Sequence, residues 1–304
     1  MATIDDVAQG SETGPKRKLT GYWLILPGAL WLGAFFVIPF YSLISASLFD
    51  PKGTPLTGYD MTWHFHNFWS ALVQYRSELG RSILYAGIAT IACLIVGYVL
   101  AYAIAFKSGR WKNLMLVLVI APFFTSFLLR TLSWKLILAD DGKVVSFANW
   151  IHLTNVLHFV HLTSTNDRLL ATPFAVIAGL TYNFLPFMVL PLYASLEKID
   201  IRLIEASSDL YASPIRGFAK VTLPLSLPGV VAGTLLTFIP AAGDYINATL
   251  LGNPNTRMVG NAIQSLFTSQ GDTAAGGALS VILMVIIVAM VLIYVRTSGT
   301  EDLV

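Results

Sequence analysis

Five histidines, one cysteine and 17 carboxylates are all that this 304-residue chain offers for building a metal or acid–base site. His64 and His66 alternate as on a strand, inside "MTWHFHNFW". Two histidines are a weak metal signal, and the stretch reads first as an aromatic cluster at a membrane interface. Cys93 is alone, so it forms no internal disulfide, and within an apolar run it behaves as a small hydrophobe. Gly142-Lys143 is followed by Val144, so no phosphate-cradling G-x-x-x-x-G-K-[ST] is present. H-E-x-x-H, C-x-x-C and G-x-S-x-G are also missing. Neither a catalytic centre nor a bound cofactor is expected in this chain.

Two acidic features remain. Asp244 stands between "FIPAAG" and "YINATLLG", and Glu205 and Asp209 stand in "EASSDLYASPIRGFAKVTLPLSLPG". What they do depends on the elements that carry them.

Only 12% of the residues are charged against 55% hydrophobic, with a mean hydropathy of +0.68. A soluble domain carries roughly 25% charged residues, so lipid must be the solvent for much of this chain. A net charge of +2 offers nothing to a nucleic acid. Windows free of Asp, Glu, Lys and Arg run over Leu19–Phe49, Ser82–Phe106, Asn113–Leu129, Leu169–Leu196, Val221–Gly243 and Thr273–Val295. Each meets or nearly meets the roughly 20 residues a helix needs to cross the hydrocarbon core. An all-α integral membrane protein with six transmembrane helices is expected. The third window ends at Arg130, which would snorkel to the interface beside Trp134. Pro27, Pro122, Pro186 and Pro240 fall inside spans, as kinks or as packed residues.

Lysine and arginine set the orientation. Lys16, Arg17 and Lys18 precede the first span, and Lys107, Arg110 and Lys112 fill the connection between spans two and three. Lys198, Arg202, Arg216 and Lys220 lie between spans four and five, and Arg296 follows span six. The opposite loops are longer and sparser in such charge. Both termini and the acidic block therefore face the cytoplasm. The first apolar run is too long for the h-region of a cleaved signal peptide. In the second outer loop, Asp140-Asp141-Gly142 reads as a turn leading into a short amphipathic segment.

In the acidic block, Asp200 can cap a helix from Ile201, on which Leu203, Ala206 and Leu210 form one apolar stripe with Glu205 and Asp209 off it. Ser213-Pro214 is a second helix start. An exposed pair of short helices with a narrow apolar stripe suits a groove on another protein.

This block resembles the EAA loop of ABC-importer permeases. Glu205-Ala206-Ser207 matches the opening of the family pattern, with Ser for its second Ala, and Val221-Thr222-Leu223-Pro224 matches its close. The family glycine is replaced by Tyr211, so the joint is expected to form with Tyr211 in ordinary backbone geometry. The stretches "GYVLAYAIAF", "PFFTSFLLRTLSWKLIL", "YNFLPFMVLPLYASLEKID" and "FIPAAGDYINATLLGNPNTRMVGNAIQ" further resemble the permeases of spermidine/putrescine importers. The resemblance implies the type I ABC-importer permease architecture: a domain over 19–296 with a coupling loop at 197–224, between cytoplasmic tails at 1–18 and 297–304. It implies a place in the bacterial inner membrane. It implies two ATP-binding subunits that hold ATP and Mg, a second, similar permease chain, an external solute-binding protein and a polyamine substrate. Glu205, Ala206, Ser207, Asp209, Tyr211, Ala212 and Ser213 would seat in the ATPase.

At about 1.5 Å per residue from Pro228, Asp244 lies about 24 Å along span five, in the outer third. It would face the substrate path, or else the outer headgroups. Tyr245, Tyr182 and Trp134 could offer aromatic faces to ammonium groups. An opine-like compound, a sugar or another cation stays open as the ligand, and an ion-coupled secondary transporter is the alternative class.

The topology is directly testable. In a Cys93→Ser background, Ser208→Cys should resist a membrane-impermeant thiol reagent in intact cells. Labelling from outside would overturn the orientation.

Overall fold

The computed structural model describes residues 18–53, 58–140, 142–150 and 168–297. The tails outside those limits, Asp141 of the expected turn and residues 151–167 of the loop after it lie outside the described residues.

Four helices are long and apolar enough to cross a membrane. Helix α1 runs Lys18–Leu32, passes a π-helical turn at Gly33–Val37 and continues as Ile38–Ser47. A short α2 (His66–Gln74) precedes α3 (Arg76–Lys107), which begins earlier than the expected Ser82. The third span is a bent pair, α4 (Gly109–Phe124) and α5 (Phe127–Ile137), meeting at 96°. A short α6 (Lys143–Trp150) follows, in line with the expected amphipathic segment, and then the long α7 (Pro173–Leu196). Next come α8 (Ile201–Asp209), α9 (Pro214–Leu225) and α10 (Leu227–Ala242), the last two bent by 67°. The chain ends in α11 (Ile246–Leu251), α12 (Val259–Ser265) and α13 (Thr273–Thr297). Counting each bent pair as one span gives six.

The kink expected as one reading of Pro122 is a full break, a second break falls at Ser226, and proline chemistry explains both. A proline has no N–H to give and its ring crowds the carbonyl four residues back. After Pro122 the helix tightens to 3₁₀ and stops, and Thr125 turns extended (φ −103°, ψ 148°). The freed Pro122 carbonyl takes the Thr125 N–H at 3.1 Å and its Oγ1 at 2.8 Å. At the second break Pro228 lies four residues beyond Pro224, and Ser226 between them stops the regular helix (φ −94°, ψ 0°). Pro27, Pro186 and Pro240 stay within continuous helices.

The centre is a three-helix contact. Ala86 and Ala89 of α3, Leu180 and Phe184 of α7, and Phe238 and Ala241 of α10 form one buried cluster. Towards the other end of α3 and α7, Cys93 and Tyr98 pack on Met188, Val189 and Leu192. Helices in lipid gain little from burying apolar surface and hold together by close packing of small residues. Met188 shows how. A Cβ on Gly233 of α10 would stand 2.8 Å from its Sδ and 3.1 Å from its carbonyl oxygen, and one on Gly97 of α3 would stand 3.0 Å from its Cγ. On the far side, α13 packs on the second half of α1 and on α2.

Gly233→Val should force Met188 aside at a cost of about 1–3 kcal/mol, typical of overpacking. The measurement is the thermal midpoint of the purified protein in detergent, which should fall. An unchanged midpoint would show that α7 and α10 are not held in this contact.

Candidate functional site

The loop between α7 and α9 is built from local signals. Glu197 follows the last turn of α7 and meets Lys112 at 2.6 Å, and that ammonium also lies 5.3 Å from the Tyr193 ring centroid. The Lys112 contact holds the Glu197 carboxyl below its usual range. Asp200 caps α8: its Oδ1 accepts the Arg202 N–H at 3.0 Å. On α8, Leu203 is half exposed, and Ala206, Glu205 and Asp209 are exposed. Leu210, just beyond, is 82% exposed. The apolar stripe read from the sequence therefore lies uncovered by this chain.

The joint after α8 differs from expectation. Tyr211 has φ +57°, in the left-handed region, rather than ordinary geometry. The cause is the way the helix ends. The Ala212 N–H folds back to the Ser207 carbonyl at 3.1 Å, a six-to-one bond that requires a left-handed residue just before it. Glycine adopts that conformation freely, whereas an L side chain there costs about 1–2 kcal/mol. Ser213 then caps α9, its Oγ accepting the Arg216 N–H at 3.4 Å. The two short helices touch where a Cβ on Gly217 would stand 2.9 Å from Ser207 Oγ.

Helix α9 is keyed to the spans. Phe218 packs edge-on to Tyr98 at 5.3 Å and lies 6.4 Å from Tyr102, both on α3. At the break before α10, Ser226 Oγ lies 2.7 Å from the Tyr98 hydroxyl. A displacement of α8 and α9 thus has direct contacts through which to reach α3 and α10.

Asp244 is buried, 9% exposed, at the joint of α10 and α11. Its Oδ1 accepts from Asn247 twice, from N at 2.8 Å and Nδ2 at 3.2 Å, which caps α11. Asn247 Oδ1 accepts from Asn183 Nδ2 at 3.1 Å, and the same amide donates to Thr131 Oγ1 at 3.1 Å. A buried polar relay therefore joins α5, α7 and α11. Trp134 and Tyr182 meet at 5.6 Å between ring centroids, beside the relay's α5 and α7 members in sequence. Tyr182 also lines an apolar pocket of about 340 Å³ with Leu118, Pro122 and Pro186. Tyr245 is 43% exposed, and its carbonyl takes the Asn261 amide.

Asn183, Asn247 and Arg130 were missed as members of this region. A search for charge passes over asparagine, although a lone amide inside an apolar window is itself a signal. Arg130 does not snorkel outward. It is buried, with its guanidinium 5.6 and 5.5 Å from the Phe123 and Phe127 rings, and its Nε and Nη1 have no hydrogen-bond partner among the described residues. The right-angle bend after α4 carries it back into the protein instead of on to the interface.

The family model for the binding-protein-dependent transport system inner membrane component matches residues 93–297. The spermidine/putrescine transport system permease protein PotB of Haemophilus influenzae is 35% identical over 269 residues, covering 88% of this chain and 90% of its own. Its counterpart in Escherichia coli is also 35% identical, over 88% of this chain and 94% of its own. The Escherichia coli inner membrane ABC transporter permease protein YdcU is 32% identical over 73% of this chain and 71% of its own. Among solved structures, a bacterial ABC transporter involved in the import of the acidic polysaccharide alginate superposes with a TM-score of 0.68. That match has 18% identity and covers 94% of this chain and 97% of the other, so it speaks to the fold alone. The chain belongs to the binding-protein-dependent inner membrane transport components: it is a permease subunit of an ABC importer, a transport protein whose ATPase is a separate subunit.

Proposed function

We propose that this permease forms part of a translocation path for polyamines. The observation that carries the reading is 35% identity to spermidine/putrescine permeases along 88% of the chain. An external binding protein delivers the substrate, and a second, similar permease completes the path. Two ATP-binding subunits, holding ATP and Mg, drive it from the cytoplasm, where both termini also lie. The loop 197–224 is the coupling element. Glu205, Ala206, Ser207, Asp209, Tyr211, Ala212 and Ser213 seat in a cleft of an ATP-binding subunit. When ATP closes that pair, α8 moves, and Phe218 and Ser226 pass the motion to α3 and α10. Asp244 supplies negative potential to the path, with Tyr245, Tyr182 and Trp134 as aromatic surfaces along it.

Two measurements test this. Glu205→Lys puts a positive charge where the ATPase cleft is shaped for a negative one. The variant should insert normally and lose ligand-dependent transport, and normal transport would remove the docking role of α8. Asp244→Asn keeps an oxygen for the Asn247 donors and removes only the charge. A charged hydrogen bond contributes roughly 1.5–3 kcal/mol, so uptake at limiting substrate should fall about ten- to a hundredfold. The assay is uptake of labelled spermidine and putrescine in cells whose own polyamine uptake is deleted. Unchanged uptake would leave Asp244 with only its capping role. No uptake by the unsubstituted complex would reject the polyamine.

A further inference from the structure

Tyr211 is costly to this chain and receives nothing from it. Its backbone is left-handed, at φ +57°, because the helix ending demands it. Glycine would meet the same demand without strain. The ring recovers no packing, since 97% of the residue's surface is open. Leu210 and Ile215 flank it at 82% and 79% exposed. Three large apolar side chains thus project from the joint between α8 and α9.

Among the described residues, two other non-glycine residues share the left-handed backbone. Ala171 is fixed by bonds from its N–H to Leu251 and from Asn253 to its carbonyl. Trp63 stands among exposed Met61, Phe65 and Trp69, the composition of a membrane interface, where indoles are at home. Tyr211 has neither. Its joint lies between exposed charges of both signs, Arg202, Glu205, Asp209 and Arg216.

We infer that Tyr211 is the specificity-determining anchor of the permease–ATPase joint, received ring-first by an apolar pocket in the ATP-binding subunit of this transporter. The inference rests on the coupling role proposed for the loop 197–224. Leu210 and Ile215 seal the rim of that pocket, and basic groups beside it meet Glu205 and Asp209. Aromatic anchors that fill a desolvated pocket commonly dominate an interface. The left-handed backbone sets the ring at the exposed tip of the joint. An ATP-binding subunit shaped for a glycine at this joint has no space for the ring, which gives the pairing selectivity by exclusion as well as by contact.

The experiment uses the complete transporter and measures the affinity of its ATP-binding subunit for the assembled permease pair, in detergent and in nanodiscs. Tyr211→Ala keeps the strained backbone and removes the ring. Tyr211→Gly removes both, and Tyr211→Phe keeps the ring. Ala and Gly should each weaken binding about ten- to a hundredfold, and Phe should retain most of it. The thermal midpoint of the permease should hold or rise with Gly, which separates lost docking from lost folding. Equal affinity for the Gly variant and the unsubstituted protein overturns the inference. If Glu205→Lys still impairs binding in that case, the coupling role of the loop survives without Tyr211; if it does not, the coupling role fails too. A loss confined to nanodiscs and absent in detergent would assign the ring to the lipid surface and likewise overturn the inference.

Discussion

The hydrogen bond between Tyr98 and Ser226 is the contact on which the working geometry turns. Lipid offers no donors or acceptors, so a helix that bends there must satisfy its own released backbone. Ser226 does this from within the bend, its N–H donating to the Thr222 carbonyl at 3.0 Å and its Oγ to the Leu223 carbonyl at 3.0 Å. The Tyr98 hydroxyl ties the same serine to α3. The bend is therefore both self-satisfied and anchored, and α9 can leave the membrane domain at a fixed angle. The direction in which α8 is presented depends on it.

The helical, membrane-spanning character of the chain and the capped starts of the two short helices in the 197–224 loop were legible in the residues, and the six expected spans are met if each bent pair counts as one. Long uncharged windows cannot be spent in water, and Asp200 and Ser213-Pro214 are strong local starts. What could not be read was which prolines break a helix. Pro186 and Pro240 sit inside helices, whereas the break near Pro122 depends on Thr125 being free to recapture a carbonyl, and the break at Ser226 depends on two prolines four residues apart. Proline identity is the same in every case, and the difference lies in the surroundings.

The buried relay was legible only at its charged end. Asp244 stood out because a carboxylate in an apolar window is expensive. Its partners Asn247, Asn183 and Thr131 carry no charge and come from three different helices. Arg130 was misplaced because a straight span ends it at the interface, while the 96° bend brings it over Phe123 and Phe127. Tyr211 was misread for a related reason: residue preference argues against a left-handed tyrosine, but the six-to-one bond closing α8 leaves no other conformation.

The contact between α1 and α13 sets the order in which the molecule can be completed during synthesis. A Cβ on Gly277 of α13 would stand 2.7 Å from the Ser47 nitrogen, so the first span is closed against the last. The apolar window of α1 is otherwise unburied by the chain. At roughly 5–20 residues per second, the ribosome makes α13 on the order of ten to fifty seconds after α1 emerges. Through that interval the first helix is held by this chain near its end, where the Asn67 amide of α2 donates to the Ser47 carbonyl. A chain that stops short of α13 lacks that contact.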